Sequence, residues 1–157
     1  KSIIIVLGLL LMIGCEDDSP TGTTTPENAN ISGTISFTGT WPTDGTVAVS
    51  LSSTWPPTGA PAASLTITSS DLSSGTTYAY TFSNVTFGTY GAIAVSWQDP
   101  NDNNPGTNQH ILGSYGGTAD YAYGPYYNAT SITVSDTLYT LTGIDFSADL
   151  SLAVGQY

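Results

Sequence analysis

The stretch YTFSNVTFGTYGAIAV, Tyr80 to Val95, decides the fold. Aromatic residues recur at every second position through Tyr78, Tyr80 and Phe82, the alternation of a strand with one face in a core and one in water. From Tyr90 to Trp97 the pattern changes. Ile93, Val95 and Trp97 are apolar on one side, and Tyr90, Ala92 and Ala94 on the other. A strand apolar on both faces belongs in the middle of a sheet, with something packed over each side. The spacing predicts an aromatic-faced strand, a turn and a central strand.

The period of two continues outward in both directions. Upstream, Ile31, Gly33, Ile35 and Phe37 alternate with Ser32, Thr34, Ser36 and Thr38. Val47, Val49 and Leu51 follow the turn residues Thr43-Asp44-Gly45, and Leu65 with Ile67 predicts a shorter strand. Downstream come Ile132 with Val134, a segment around Leu138 to Leu141, and the regular series Ile144, Phe146, Ala148, Leu150, Leu152. The alternates of that last series are Asp145, Ser147, Asp149 and Ser151, so its two carboxylates are expected to face water. About seven strands, frequent turn signals and no helical period predict an all-β fold, an antiparallel β-sandwich. Composition agrees: with 17 Gly, 9 Pro and 8% charged residues, the chain lacks the Glu, Lys and Arg that long surface helices use.

The same stretch resembles the strand-turn-strand element of transthyretin-like, carboxypeptidase-regulatory-like sandwiches, an Ig-like architecture. Phe82, Val85, Gly88 and Tyr90 stand at the matching positions, and ISGTISFTG, Ile31 to Gly39, looks like the opening strand of that family. The resemblance covers Ile31 to Leu152 and implies a sandwich; related sandwich families share the signature.

Charge excludes several functions. The chain carries one Lys or Arg against 12 Asp and Glu, for a formal net charge of −11. The one cation is Lys1. Binding to nucleic acid draws on Lys and Arg that neutralise phosphates, so nucleic acid is not an expected partner. Arginine clamps, Schiff-base lysines and attraction to anionic lipid are excluded for the same reason.

At the N-terminal end, Ile3 to Ile13 is an apolar run broken only by Gly8. It is shorter than the roughly 20 residues needed to span a bilayer and suits the middle of a secretory signal peptide. The run meets Met12-Ile13-Gly14-Cys15, which resembles the bacterial lipoprotein signal, with Met12 where that family usually has Leu. The resemblance implies that residues 1–14 are a signal peptide and that Cys15, the only cysteine, is acylated and anchors the chain to a membrane. Residues 15–30 continue as EDDSPTGTTTPENAN behind the cysteine, an acidic and Thr/Pro-rich tether with almost no apolar content. Residues 31–157 form the sandwich domain.

Candidate sites are few. The sequence has no G-x-S-x-G elbow, and its one histidine, His110, reads as a strand-edge residue in preference to a metal ligand. Asp145 and Asp149 could in principle be a hydrolytic pair, but fit a solvated strand face. No catalytic residue is assigned, and the chain is not expected to be an enzyme. In WQDPNDNNPGTNQH, Asp99, Asn101 and Asn103 match the D-x-N-x-N ligands of a calcium loop. Asn104 then stands where Gly is wanted and His110 where Glu is wanted, and a long turn rich in Asn, Asp, Pro and Gly explains the segment without an ion. Trp41, Trp55, Tyr121, Tyr123, Tyr126 and Tyr127 are the candidate ligand-contact aromatics, because such rings give contact area at low entropic cost, although rings that fold back over the open ends of the sandwich explain them without a ligand, and that reading is preferred. The sequence therefore predicts a lipid-anchored, extracytoplasmic module of a bacterial cell envelope, or of its surface, that binds or scaffolds a partner. A carbohydrate-binding module and a self-associating subunit of an extracellular fibre are the alternatives.

Overall fold

The computed structural model describes residues 25–119 and 126–153. The leader, Cys15, Tyr121 and Tyr123 lie outside the described residues. Among the described residues ten strands run in the order β1 (Asn28–Thr38), β2 (Thr46–Ser52), β3 (Ala63–Ile67), β4 (Thr77–Thr86), β5 (Gly88–Tyr90), β6 (Ala92–Gln98), β7 (Gln109–Ser114), β8 (Ile132–Val134), β9 (Thr140–Leu141) and β10 (Phe146–Asp149). Helical structure among the described residues is limited to two short 3-10 turns, Ser69–Asp71 and Leu150–Ala153.

The strands form an all-β sandwich. One sheet has the order β10-β1-β4, with β9 also paired to β1; the other has the order β3-β2-β6-β7; β5 and β8 form a separate two-stranded ribbon. Period two turns one face of each sheet inward. Ile31, Ile35 and Phe37 of β1 and Tyr80 and Phe82 of β4 meet Val47, Val49 and Leu51 of β2 and Ile93, Val95 and Trp97 of β6 in one continuous core. At about 25 cal/mol per Å² of apolar surface removed from water, that core is the main stabilising contribution.

The central strand is where the spacing puts it, since β6 lies between β2 and β7, but its span is shorter than expected. Tyr90 to Trp97 is interrupted at Gly91. Tyr90 pairs with Ile132 in the ribbon, whereas Ala92 onward pairs with β2. Gly91 is the break because a Cβ there would lie 2.6 Å from the Thr54 carbonyl carbon and from the Trp55 nitrogen. β1 also begins at Asn28, three residues before its apolar alternation starts, because Ala29 is fully buried and Asn28 pairs with Thr86.

The C-terminal series departs further from the expected single strand. β10 runs parallel to β1, with Ile35 opposite Phe146 and Thr38 opposite Asp149, in a sandwich whose other pairings are antiparallel apart from β9 with β1. It stops at Asp149, whose Oδ1 accepts hydrogen bonds from the amide and the hydroxyl of Ser151 at 2.9 and 2.7 Å. That local bond competes with a sheet ladder and turns the chain into the 3-10 helix, burying Leu150 and Ala153 and leaving Leu152 half-buried. Asp145 is exposed as expected, and its Oδ1 accepts the Thr34 amide at 2.7 Å.

Candidate functional site

Three buried apolar residues, Ala92, Ala94 and Ile111, stand outside the core cluster. Ala94 and Ile111 lie on the opposite face of the β3-β2-β6-β7 sheet, where they belong to the floor of a cleft of about 430 Å³. The same period of two that sends Val47, Val49 and Leu51 inward sends Thr46, Ala48, Ser50 and Ser52 outward into it. Its neighbours supply Ser64 and Thr66 from β3, Ser96 and Gln98 from β6, and Gln109 from β7. The β2–β3 connection forms one wall with Trp55, Pro57, Gly59 and Pro61.

The polar groups of the floor are partly arranged among themselves. Ser50 and Ser64, directly opposite in register, approach to 3.0 Å through their hydroxyls, and the Ser96 hydroxyl donates to Gln109 Oε1 at 3.0 Å. Ser52 differs. It is the most enclosed of these hydroxyl residues, at 6% exposed, and lines the cleft at the C-terminal end of β2. Among the described residues, none that lines the cleft is charged. The cleft can donate and accept hydrogen bonds and offers no carboxylate, imidazole or thiol.

Trp55 is held from two sides. Its backbone packs on Gly91, whose amide donates to the Ser52 carbonyl at 2.9 Å. Its indole Nε1 donates to the Tyr127 carbonyl at 2.6 Å, and the two rings lie 5.9 Å apart at 39°. The Tyr127 segment is anchored in turn. The Ser114 hydroxyl donates to the Tyr126 carbonyl at 2.7 Å, the Tyr126 amide to the Thr118 carbonyl at 2.9 Å, and the Thr118 amide to Asn128 Oδ1 at 2.8 Å. Tyr126 adopts a left-handed backbone with φ 63°. Burial, and secondarily the Asp149 carboxylate, raise its phenol above the usual range.

The other candidates lie apart from the cleft. Trp41 packs edge-on against Phe37 at 5.5 Å, half-buried against the core. His110 is on the edge strand β7, but its ring turns inward and meets Trp97 at 5.3 Å and 61°, while Trp97 Nε1 donates to the Asp44 carbonyl at 2.9 Å. In the β6–β7 loop, Asp99 Oδ1 accepts the Asn101 amide, Asp102 Oδ1 the Asn104 amide and Asn104 Oδ1 the Gly106 amide, at 2.8, 2.8 and 3.0 Å. These are successive turns closed by side chains. The Thr107 hydroxyl and the Asn104 amide donate to Asp102 and hold its carboxyl below the usual range. No group of three or more His, Cys, Asp or Glu is placed to hold a metal ion among the described residues.

The sequence singled out Trp55 and Tyr127, which the structure brings together, and it missed the floor. Its signal was present in the uncharged, small alternates of β2, β3 and β6. Only strand order shows that these alternates share a face. No known protein family, curated protein or solved structure matches this chain.

Proposed function

We propose that this chain is an extracytoplasmic module of a bacterial cell envelope, tethered by lipid on Cys15, that binds or scaffolds a partner and does not catalyse. The observation that carries the binding role is the cleft on the outer face of the β3-β2-β6-β7 sheet, floored by uncharged hydrogen-bonding groups and walled by a fixed Trp55. Its volume of about 430 Å³ falls in the range of roughly 300–1,000 Å³ usual for small-ligand sites. The anchoring role rests on the Gly14-Cys15 junction behind the apolar run and on the polar segment that follows it. Acyl chains contribute about 0.8 kcal/mol per buried methylene, and two chains hold a protein stably at a membrane.

Mass spectrometry of the N-terminal peptide from the membrane fraction tests the anchor. The expected result is a peptide that starts at Cys15 and carries acyl groups, and a Cys15→Ala variant that releases the protein from membranes. An unmodified Cys15 still preceded by residues 1–14 overturns the display reading.

Self-association is favoured by a separate observation. β4 is a ten-residue strand at the edge of its sheet, and it contains neither Pro nor Lys, two residues that commonly guard such edges. Sedimentation from low to high micromolar concentration reads this directly, and a mass that stays monomeric throughout rules it out.

A further inference from the structure

We propose that the cleft binds a neutral glycan, with Trp55 as a stacking platform and Ser52 as a hydrogen-bonding contact; this rests on the binding-module reading above. Four features of the site lead to that ligand class. First, the chain has 12 carboxylates and a net charge of −11, yet none of the described residues lining this cleft is charged. A cationic ligand would find no counter-charge there, and an anionic one would meet the field of an acidic protein with no Lys or Arg among the described lining residues to receive it. What fits is a neutral molecule. Second, the floor presents hydroxyls and carboxamides, groups that both donate and accept, and a polyol offers the same two capacities in return. Third, Ser52, 6% exposed, lines the cleft and is not joined to another floor residue as Ser50 is to Ser64 and Ser96 to Gln109. A ligand hydroxyl that reaches it exchanges a water contact for a direct bond in an enclosed place, where such a bond is stronger.

The fourth feature is Trp55. With its Nε1 occupied by the Tyr127 carbonyl, the indole can offer the ligand only its carbon surface, and that bond fixes the orientation of the ring before a ligand arrives. A large apolar ring held in place presents contact area without the entropy loss of ordering it on binding. The axial C–H faces of a sugar ring match such a surface, while its equatorial hydroxyls reach the Ser and Gln groups on the floor. An apolar ligand would leave those polar groups unsatisfied.

The test is native affinity electrophoresis of the full chain, in detergent, through gels cast with soluble starch, galactomannan or xyloglucan, and with polygalacturonate as an anionic polymer. The net negative charge carries the protein into each gel. The expected result is retardation by at least one neutral polysaccharide and none by polygalacturonate. Trp55→Ala is expected to weaken that retardation about tenfold or more, the effect of losing a buried aromatic anchor. Ser52→Ala guards against a folding artefact. The change removes one cleft-lining hydroxyl and no core packing, so the melting temperature should stay within a few degrees of the parent. It should still weaken binding, by roughly two- to tenfold for one hydrogen bond. Tyr139→Ala, at an exposed ring outside the cleft, should bind as the parent does. Retardation by none of the neutral polymers, retardation by polygalacturonate alone, or equal retardation of the parent, Trp55→Ala and Ser52→Ala each overturns the proposal. An acylated Cys15 together with no retardation sinks the glycan and leaves the anchored module standing; retardation with an unmodified Cys15 does the reverse.

Discussion

Gly113→Ala is expected to destabilise the domain by about 3 kcal/mol, at the upper end of what overpacking costs, and to lower the melting temperature by roughly 10 °C or more. A Cβ at Gly113 would land on the carbonyl oxygen of Ser147 and lie 2.8 Å from the Ala148 Cα. The obstacle is backbone, so no rotamer change relieves it. β10 also cannot retreat without breaking its pairing with β1, in which Ser36 faces Ser147 and Phe37 faces Ala148. Gly33→Ala should behave alike, since its Cβ would meet the Ile144 carbonyl. Gly59 supplies the contrast: nothing lies within 4 Å of a Cβ there, so Gly59→Ala should be neutral or stabilising by up to about 1 kcal/mol. Differential scanning calorimetry of the three variants decides the matter. A Gly113→Ala melting temperature within a few degrees of the parent would mean that β10 does not pack across β7.

Tyr80→Ala is expected to cost about 3–5 kcal/mol, the range for deleting a large buried ring, and Tyr80→Phe about 1–3 kcal/mol. Tyr80 sits opposite Gly33 in the β1–β4 register, is 2% exposed, and packs against Phe82 and Phe146 at 5.5 and 6.3 Å. Its hydroxyl donates to the Ile144 carbonyl at 2.7 Å, the carbonyl that also fills the space above Gly33. Phenylalanine keeps the ring and removes the donor, which strands a buried acceptor.

The same phenol predicts a pH dependence. Burial, with the Asp145 carboxylate as a secondary cause, holds its pKa well above the usual value of 10.0. A group whose folded pKa is raised contributes stability that is fully present below its unfolded pKa. The native state keeps a proton that the unfolded chain releases above about pH 10, so stability falls as pH rises beyond that point. Urea midpoints from pH 8 to pH 11 should decline more steeply for the parent than for Tyr80→Phe. Equal slopes would remove Tyr80 as the titrating group.

Much of the architecture was legible because a half-buried strand writes its two faces directly into the residue order. Val47, Val49 and Leu51 could only be one face of a strand, and the doubly apolar Ala92 to Val95 marked a strand inside its sheet, although its Ala94 side turned out to floor an open cleft and carries no second layer among the described residues. The alternation could not show where a strand ends when the cause lies elsewhere in the chain. The break at Gly91 comes from the Thr54–Trp55 backbone, and the end of β10 from a bond that Asp149 makes to Ser151. Strand direction was also hidden, since Ile144 to Leu152 alternates identically whether it runs parallel or antiparallel to β1.

From residue order alone came the class of the fold, the inward residues of most strands and the lack of any Lys or Arg beyond Lys1 to hold a phosphate. The tertiary structure alone decided which alternates share a surface. Thr46, Ser64, Ser96 and Gln109 come from four strands across more than sixty positions of chain, and they meet only because β3, β2, β6 and β7 are hydrogen-bonded in that order. Period two is a property of one strand and is encoded locally. A binding face is a property of strand order, which is set by how whole sheets bury their apolar sides against each other.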